Sequence, residues 1–227
     1  MRTKALILSL LIITQILSIT VSSATPDDIS IDGNISDWNS DTLMGTDHNG
    51  ISFHLTWNST HISFAWDGTD WESTTEGADL FIYLNTSEEG TPLSKEWDTI
   101  HALPFSSDYA FLLEDSSYYR LVTYDGFSWI EGNQTGVEAY IGHSENKLTE
   151  VSIPWENIGS PNSLDIFAWA QWQEYGNVWA SFPESNPVSN NGAETFNNSW
   201  HIADVSTNTI PSTLPVIEAG VVDKVEN

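Results

Sequence analysis

Apolar and polar residues alternate along short segments of this chain, and turn residues separate the segments. The clearest pair runs from Ile51 to Trp57 and from Thr60 to Asp67, joined by Asn58 and Ser59. Alternation with a period of two predicts strands, and a two-residue connection predicts a β-hairpin. The predicted register pairs Trp57 with Thr60, Leu55 with Ile62, Phe53 with Phe64 and Ile51 with Trp66. His54 and His61 then share the opposite face.

The same pattern predicts nine further strands, spaced as in an antiparallel sandwich. They are Asp79 to Asn85, Tyr109 to Leu113, Tyr118 to Thr123, Phe127 to Glu131, Val137 to Gly142, Lys147 to Ile153, Leu164 to Gln173, Val178 to Phe182 and Trp200 to Val205. No stretch has a sustained helical period, and the best candidate for a helical turn is Trp155 to Ile158. We therefore predict an all-β fold, an antiparallel two-sheet β-sandwich of jelly-roll-like type.

Residues 1–24 have the features of a secretory signal peptide. Arg2 and Lys4 precede an apolar run, and small residues up to Ala24 suit cleavage there. An uncleaved membrane anchor is the alternative, because the apolar run is long for a leader. No second apolar run of spanning length follows, so we predict that the mature chain has no membrane span.

The rest of the chain is long enough for one sandwich domain, which we assign to residues 25–207. Residues 208–227 contain two prolines and are predicted to be a C-terminal tail or linker. Inside the domain, the polar stretch from Glu184 to Ser199 is predicted to be a surface loop that holds no core position.

Charge and cysteine content exclude several classes of partner and chemistry. The chain has 6 basic and 32 acidic residues, a formal net charge of −26, and cleavage of the leader would make it −28. Such a charge repels nucleic acid and anionic lipid, so we predict no nucleic-acid partner. The sequence has no cysteine, which excludes disulfides and thiolate ligands.

Five Asn-x-Ser/Thr sequons fit a secreted glycoprotein, if the host modifies such sites. We predict that all five lie in loops or at strand ends. They are Asn34, Asn58, Asn85, Asn133 and Asn197.

Four segments follow one another in an informative order. They are the opener Ile31 to Trp38, the hairpin Leu55 to Asp67, the acidic-led strand Asp79 to Leu84, and Leu148 to Trp155 with its proline-aromatic step. This order resembles the family 9 carbohydrate-binding modules and the related DOMON-like sandwiches, over roughly Ser30 to Val205. The resemblance implies that the opener is the first strand, that paired tryptophans clamp a terminal sugar, and that a structural calcium ion is common in such domains.

Eleven tryptophans make the chain a candidate for sugar binding, because flat aromatic faces stack on the C–H face of a pyranose. Trp71 and Trp97 lie in predicted loops and are secondary ligand candidates. Five others are assigned to packing between strands or at strand ends. They are Trp38, Trp57, Trp66, Trp155 and Trp200.

A turn at Tyr175 and Gly176 would place Trp172 opposite Trp179 on neighbouring strands. Gln171 and Gln173 flank this pair, and carboxamides are suited to sugar hydroxyls. We predict that these four residues form a ligand-binding site. The alternative is a cross-strand aromatic pair that only stabilises the hairpin.

Acidic residues gather between two predicted strands, and hard cations such as calcium take six to eight oxygen ligands. The candidate calcium ligands are Asp67, Asp70, Glu72, Asp79 and, from a nearby turn, Asp47. Chance clustering in so acidic a chain is the alternative.

No Gly-x-Ser-x-Gly elbow, His-Glu-x-x-His helix or glycine-rich phosphate loop is present, and we predict no enzyme. We predict a secreted or cell-surface, non-catalytic domain whose partner is a polysaccharide or cell-surface glycan. A cell-surface structural protein without a sugar site is one alternative. A haem-binding, DOMON-like electron carrier is another, with Met44 and one of His101, His143 or His201 as axial ligands.

Overall fold

The computed structural model describes residues 29–68, 78–87, 89–95, 99–115, 118–142, 145–172, 177–188 and 192–207. These residues form fourteen strands: β1 (Leu43–Thr46), β2 (Ser52–Trp57), β3 (His61–Asp67), β4 (Ala78–Asn85), β5 (Thr91–Leu93), β6 (Ala102–Ser107), β7 (Tyr109–Asp115), β8 (Tyr118–Tyr124), β9 (Trp129–Glu131), β10 (Glu138–Tyr140), β11 (Leu148–Pro154), β12 (Leu164–Trp172), β13 (Asn177–Phe182) and β14 (Trp200–Ile202). They also form three short 3₁₀ helices: Ile35–Asp37, Trp155–Ile158 and Val205–Thr207. The predicted leader and tail lie outside the described residues.

The strands build two large antiparallel sheets, packed face to face as one domain, and this confirms the predicted all-β sandwich. The five-stranded sheet has the order β1-β2-β3-β11-β10. The seven-stranded sheet has the order β13-β12-β4-β7-β8-β9, with β14 also paired to β12. β5 and β6 form a separate two-stranded sheet. Among the described residues, no helix is long and apolar enough to cross a membrane.

The first hairpin forms as predicted, but the predicted register is wrong by two residues. Trp57 pairs with Ile62, and Leu55 pairs with Phe64. The cause is Asn58, whose Oδ1 accepts hydrogen bonds from the backbone N–H groups of Thr60 (2.8 Å) and His61 (2.9 Å) and so closes the turn. An even shift preserves the faces, so the apolar residues of both strands still point into the core.

The main core lies between the two sheets and is rich in aromatic rings. Phe53 stands near its centre, stacked on Phe182 (ring centroids 5.2 Å apart) and on Trp200 (5.4 Å), with Trp66 edge-on at 5.0 Å. All four side chains are buried. Burying each such ring contributes about 1.5–3 kcal/mol, which is how this cysteine-free fold is stabilised.

A second core covers the outer face of the seven-stranded sheet. β4 and β12 are continuous apolar runs because both of their faces are buried. Tyr83 of β4 and Trp169 of β12 lie on the outer face and stack at 4.8 Å with 7° between their planes. Leu103 of β6 packs on this cluster, so the β5–β6 hairpin acts as its cover.

Phe196 belongs to this second core, so the prediction that Glu184 to Ser199 holds no core position is wrong. The ring is 1% exposed and lies 4.4 Å from the ring of Phe167. The backbone explains how a polar stretch reaches the core: Phe196 N–H donates to Ala102 O, and Ala102 N–H donates to Glu194 O, both at 2.9 Å. One large apolar residue is held in place by its pairing with β6.

The opener does not form a strand, which corrects the expectation drawn from the resemblance. It forms bends and the first 3₁₀ helix, and it lies across the outer face of the five-stranded sheet. Glu150 of β11 holds it there. The fully buried carboxylate accepts hydrogen bonds from the indole N–H of Trp38 (2.6 Å) and from the backbone N–H groups of Asp32 (3.0 Å) and Gly33 (2.5 Å). Burial raises the pKa of Glu150, and these hydrogen bonds oppose that effect.

Other local predictions had mixed outcomes. The helical turn Trp155–Ile158 is confirmed as a 3₁₀ helix. The last predicted strand is shorter than expected, because it ends at Ile202. β1, β5 and β6 were not predicted.

All five sequon asparagines lie in loops or at strand ends, as predicted. Asn133 and Asn197 are exposed in irregular segments, and Asn34 caps the first 3₁₀ helix. Asn58 follows β2 and Asn85 ends β4. Their glycosylation stays a prediction.

Candidate binding site

The tryptophans divide into buried ones and partly exposed ones. The five assigned to packing are all buried, and so is Trp169; their exposed fractions are Trp38 5%, Trp57 1%, Trp66 0%, Trp155 8%, Trp169 1% and Trp200 4%. Trp129, Trp172 and Trp179 are partly exposed. The candidates Trp71, Trp97 and Gln173 lie outside the described residues.

Trp172 and Trp179 come together as predicted, although by a different register. Trp172 pairs with Asn177, and Gln171 pairs with Val178, after an irregularity between Ala170 and Gln171. This bulge turns the end of β12, and the two indoles stack at 5.4 Å with 16° between their planes. The predicted pairing is wrong, but the predicted neighbourhood is correct.

The stacked pair is a platform rather than a clamp. Two aromatic faces that grip a sugar ring must stand roughly 7 Å apart, because each contact takes about 3.5–4.0 Å. At 5.4 Å the two indoles touch each other, and only their outer surfaces are open to a ligand. Both also pack partly on the main core, which fixes their orientation.

The platform lies at the end of the sandwich that contains the β1–β2 turn. Asn49 in that turn is exposed and donates from Nδ2 to the backbone oxygen of Trp179 at 2.9 Å. A carboxamide therefore stands beside the partly exposed indoles. Sequence reasoning did not assign Asn49 to the sugar site, because Asn49 and Trp179 are 130 residues apart along the chain.

Gln171 points away from this platform. Its neighbours along β12 alternate between faces, and Gln171 lies on the outer face under the β5–β6 cover, where it is 1% exposed. Its Oε1 accepts the indole N–H of Trp169 (3.1 Å) and meets His101 Nε2 at 3.2 Å. The structure uses this oxygen inside the second core and not at a ligand surface.

His101 is the polar centre of the second core. Its Nδ1 accepts the backbone N–H of Glu194 at 3.1 Å, which places the imidazole proton on Nε2, facing Gln171. Burial lowers the pKa of His101; the hydrogen bond to Gln171 and the charge of Glu194 act against that. The ring is therefore neutral and in a single tautomer at neutral pH.

Asp47 is one of the candidate calcium ligands, and the structure uses it to close the β1–β2 turn. Its Oδ1 accepts the backbone N–H groups of Asn49 (3.0 Å) and Ile51 (2.8 Å). The side chain is buried, as expected for a carboxylate that satisfies a turn.

The other described carboxylates of the predicted calcium cluster are far apart in the fold. Asp67 lies on β3 in the five-stranded sheet, and Asp79 lies on β4 in the seven-stranded sheet, each on the outer face of its own sheet. Asp70 and Glu72 lie outside the described residues. Among the described side chains, no group of three or more His, Cys, Asp or Glu is placed to hold a metal ion. The calcium site stays a prediction.

The residues named for haem ligation are also separated. Met44 is buried in the main core, between the sheets. His101 lies on the outer side of the seven-stranded sheet, and His201 is exposed with Nδ1 2.7 Å from Asp165. Neither histidine faces Met44, and His143 lies outside the described residues.

Trp129 is a partly exposed aromatic residue that sequence reasoning did not consider. It stands edge-on to Tyr83 and Tyr124, both at 5.6 Å, at the margin of the second core. The available signal was its alternation with the exposed Ile130 in an edge strand.

Comparison with protein families, curated proteins and solved structures finds no match for this chain. The resemblance to family 9 carbohydrate-binding modules and DOMON-like sandwiches therefore stays a prediction.

Proposed function

We propose that this protein is a non-catalytic carbohydrate-binding domain that works outside the cell, with the Trp172–Trp179 platform as its sugar-stacking surface. The observation that carries the proposal is the pair itself: two nearly parallel indoles, partly exposed, at one end of the sandwich. Indoles that only filled the core would be covered as fully as the six buried tryptophans.

The physical argument rests on rigidity and shape. A sugar ring offers a flat apolar C–H face, and a flat aromatic surface matches it. The platform is fixed by its packing on the main core, so little side-chain freedom is lost on binding. The exposed Asn49 beside it supplies the residue type that bonds sugar hydroxyls.

Charge narrows the class of glycan. A formal net charge of −26 disfavours anionic polysaccharides, whether sulfated or rich in uronic acids. We therefore expect neutral glycans among the ligands. No nucleophile or acid–base motif appears in the sequence, which is why the proposal is of binding and not of hydrolysis.

The test is a glycan array probed with the purified protein, followed by titration calorimetry on the best neutral ligand. Trp172→Ala and Trp179→Ala should each weaken binding by at least about tenfold, or about 1.4 kcal/mol, because each removes part of the stacking surface. Trp129→Ala is the matched control, since it removes a partly exposed tryptophan elsewhere. Near-ultraviolet circular dichroism checks that every variant is folded.

Running the array with calcium and again with a chelator tests the predicted ion. Loss of glycan binding in chelator would support a calcium requirement. Unchanged glycan binding in chelator would show that binding does not require calcium. An array that is blank for the folded wild-type protein would reject the sugar proposal.

A structural role without a sugar site is the second candidate, and burial favours it. Six of the nine described tryptophans are buried, and the platform itself packs partly on the core. If Trp172→Ala and Trp179→Ala unfold the domain while the array stays blank, this candidate becomes the better account.

A further inference from the structure

A groove of about 460 Å³ with a mixed polar and apolar lining opens at the β2–β3 turn, and no role has yet been assigned to it. It lies between that turn, the turn before β10 and the end of β11 with its 3₁₀ helix. The residues that line this groove include Thr60, His61, Thr135, Pro154, Trp155, Glu156 and Ser160. Its volume falls within the range of about 300–1,000 Å³ that small-molecule sites occupy. We infer that it is a second saccharide site, which binds a neutral sugar residue.

The walls of the groove are tied to one another, so its shape exists before any ligand arrives. Trp155 connects two of them: its backbone N–H donates to Thr60 O at 2.9 Å, and its indole N–H donates to Asn58 O at 2.8 Å. Asn157 connects the third, because its Nδ2 donates to Thr135 O at 2.8 Å. A preformed site binds without the cost of ordering its loops.

Backbone strain is concentrated at the same place. Ser160 has a φ of 48°, and it is the only non-glycine residue with positive φ in the described part of the chain. It follows Gly159, whose φ is 78°, and its N–H donates to Trp155 O at 2.8 Å. Glycine would adopt this conformation at less cost, yet the chain has a serine there, and that serine lines the groove.

The lining residues select a neutral polyol. Pro154 and Trp155 are the apolar residues of the lining, both largely buried, and hydroxyl side chains from three separate turns surround them. Glu156 is exposed and is the only acidic residue among the described lining residues, and the imidazole Nδ1 of His61 lies 2.8 Å from Thr60 Oγ1. Hydroxyls and a carboxylate can both accept from sugar hydroxyls, whereas the carboxylate and the negative net charge of the protein disfavour an anion.

The groove and the Trp172–Trp179 platform are separate sites. Asn49 beside the platform precedes β2, and the groove begins after β2 ends, so the length of this strand, roughly 20 Å, lies between them. The ligand class is shared with the proposed function and rests partly on it. The experiment must therefore read the two sites independently.

Assigned indole N–H resonances make this separation possible in one ¹⁵N-labelled sample. Trp155 reports on the groove together with the imidazole protons of His61, and Trp172 and Trp179 report on the platform. The probes are the methyl glycosides of glucose, galactose, mannose and N-acetylglucosamine, each added stepwise to the full chain. Saturable shifts of the Trp155 and His61 resonances with at least one probe are expected.

Two variants test whether the groove itself binds the probe. Glu156→Ala removes the exposed carboxylate, and Ser160→Gly removes the hydroxyl while it relieves the strained φ, so both should fold. Each variant should raise the Kd obtained from the groove resonances by at least about fivefold. Glu138→Ala, an exposed acidic position on β10 outside the groove, is the matched control and should leave them unchanged.

The outcomes distinguish the two proposals. Shifts at Trp172 and Trp179 alone overturn the groove site and support the platform. Shifts at Trp155 and His61 alone support the groove site and overturn the platform. If none of the four probes shifts the resonances at either place, both sites are overturned. If the groove resonances shift but Glu156→Ala and Ser160→Gly leave these shifts unchanged, the groove site is overturned.

Discussion

His101 connects three parts of the chain through one imidazole ring. It precedes β6, it contacts Gln171 on β12, and its Nδ1 accepts the N–H of Glu194. The arrangement requires a neutral ring, because a second proton on Nδ1 would point at the Glu194 N–H donor. Protonation would therefore bury a positive charge and break one hydrogen bond, and both effects oppose it.

This geometry gives the stability of the protein a defined pH dependence. Because the folded-state pKa of His101 lies below its ordinary value of 6.5, the unfolded chain takes up the proton first as the pH falls. The stabilising contribution is present above pH 6.5 and is lost as the pH drops through the lowered pKa. Urea unfolding at about pH 7 and about pH 5 should show this loss as a difference between wild type and a His101 variant, because the raised pKa of Glu150 changes the stability of both proteins in the opposite direction.

His101→Gln should be less stable than wild type at neutral pH. Its free energy of unfolding should also fall less than that of wild type between about pH 7 and about pH 5. A remaining pH effect is expected, because burial also lowers the pKa of His54. Equal slopes for wild type and His101→Gln would show that His101 contributes nothing to the pH dependence.

Single residues were predictable when one face of a strand decided their environment. Trp57, Trp66 and Trp200 are buried as predicted, because alternation fixes which side of a strand each occupies. Gln171 was not predictable, because its environment depends on a cover that arrives from β6, about seventy residues away. Alternation indicates the face and says nothing of what will later cover it.

The β5–β6 hairpin and the stretch around Phe196 act together as one element. They cover the outer aromatic face of β4 and β12 and convert a surface into a second core. Phe196 contacts Phe167, Trp169 and His101, with ring centroids between 4.4 and 5.6 Å apart. The cover therefore depends on one large side chain from an otherwise polar stretch.

Phe196→Ala should destabilise the protein by about 3–5 kcal/mol in chemical unfolding, because it leaves a cavity among fixed rings. Phe127→Ala is the matched control, since Phe127 is 92% exposed in the β8–β9 turn. That change should stay within about 0.5 kcal/mol of wild type. A similar, small effect for both variants would mean that the cover does not hold Phe196 as described.

Elements were predictable where the apolar pattern was long, and two of the three strands that were missed, β5 and β6, are interrupted by proline. β4 and β12 are recognisable from their continuous apolar runs. β5 contains Pro92 and β6 contains Pro104, and proline lacks the N–H that a central strand needs. The register of the first hairpin was wrong for a different reason, because the hydrogen bonds that Asn58 Oδ1 accepts from Thr60 and His61 close a longer turn than predicted.

At the scale of the whole molecule, negative charge opposes compactness. The formal net charge is −26, and ion pairs to balance it are few because the chain has only 6 lysines and arginines. Salt shortens the range of the repulsion, with a Debye length of about 30 Å at 0.01 M and about 10 Å at 0.1 M.

Thermal unfolding should therefore shift upwards with added sodium chloride. A rise in Tm of several degrees between about 0.01 M and about 0.1 M is expected, since about 1 kcal/mol moves Tm by about 2–4 °C for a chain of this size. A Tm that stays constant or falls over this range would show that self-repulsion is not a significant term in the stability.

The sandwich class followed from the sequence, but the assignment of strands to sheets did not. β3 and β4 are consecutive strands, and they belong to different sheets. This crossing separates Asp67 from Asp79, which the sequence brings close together and the fold directs to opposite outer faces. The predicted calcium cluster was inferred from closeness along the chain, which would have required both strands to lie in the same sheet.

The contacts of Glu150 also determine how the protein would respond to being pulled. Tension applied at Ile29 reaches the sheets through the N-terminal segment, which is attached by the hydrogen bonds to the Glu150 carboxylate, by the hydrogen bond from Asn146 Nδ2 to Gly33 O (2.8 Å) and by the packing of Trp38 on Ala65 and Leu148. If they give way first, residues 29–38 extend by at most roughly 35 Å while both sheets keep their pairing. The segment would then serve as a mechanical fuse, which lengthens under force before the folded domain is strained.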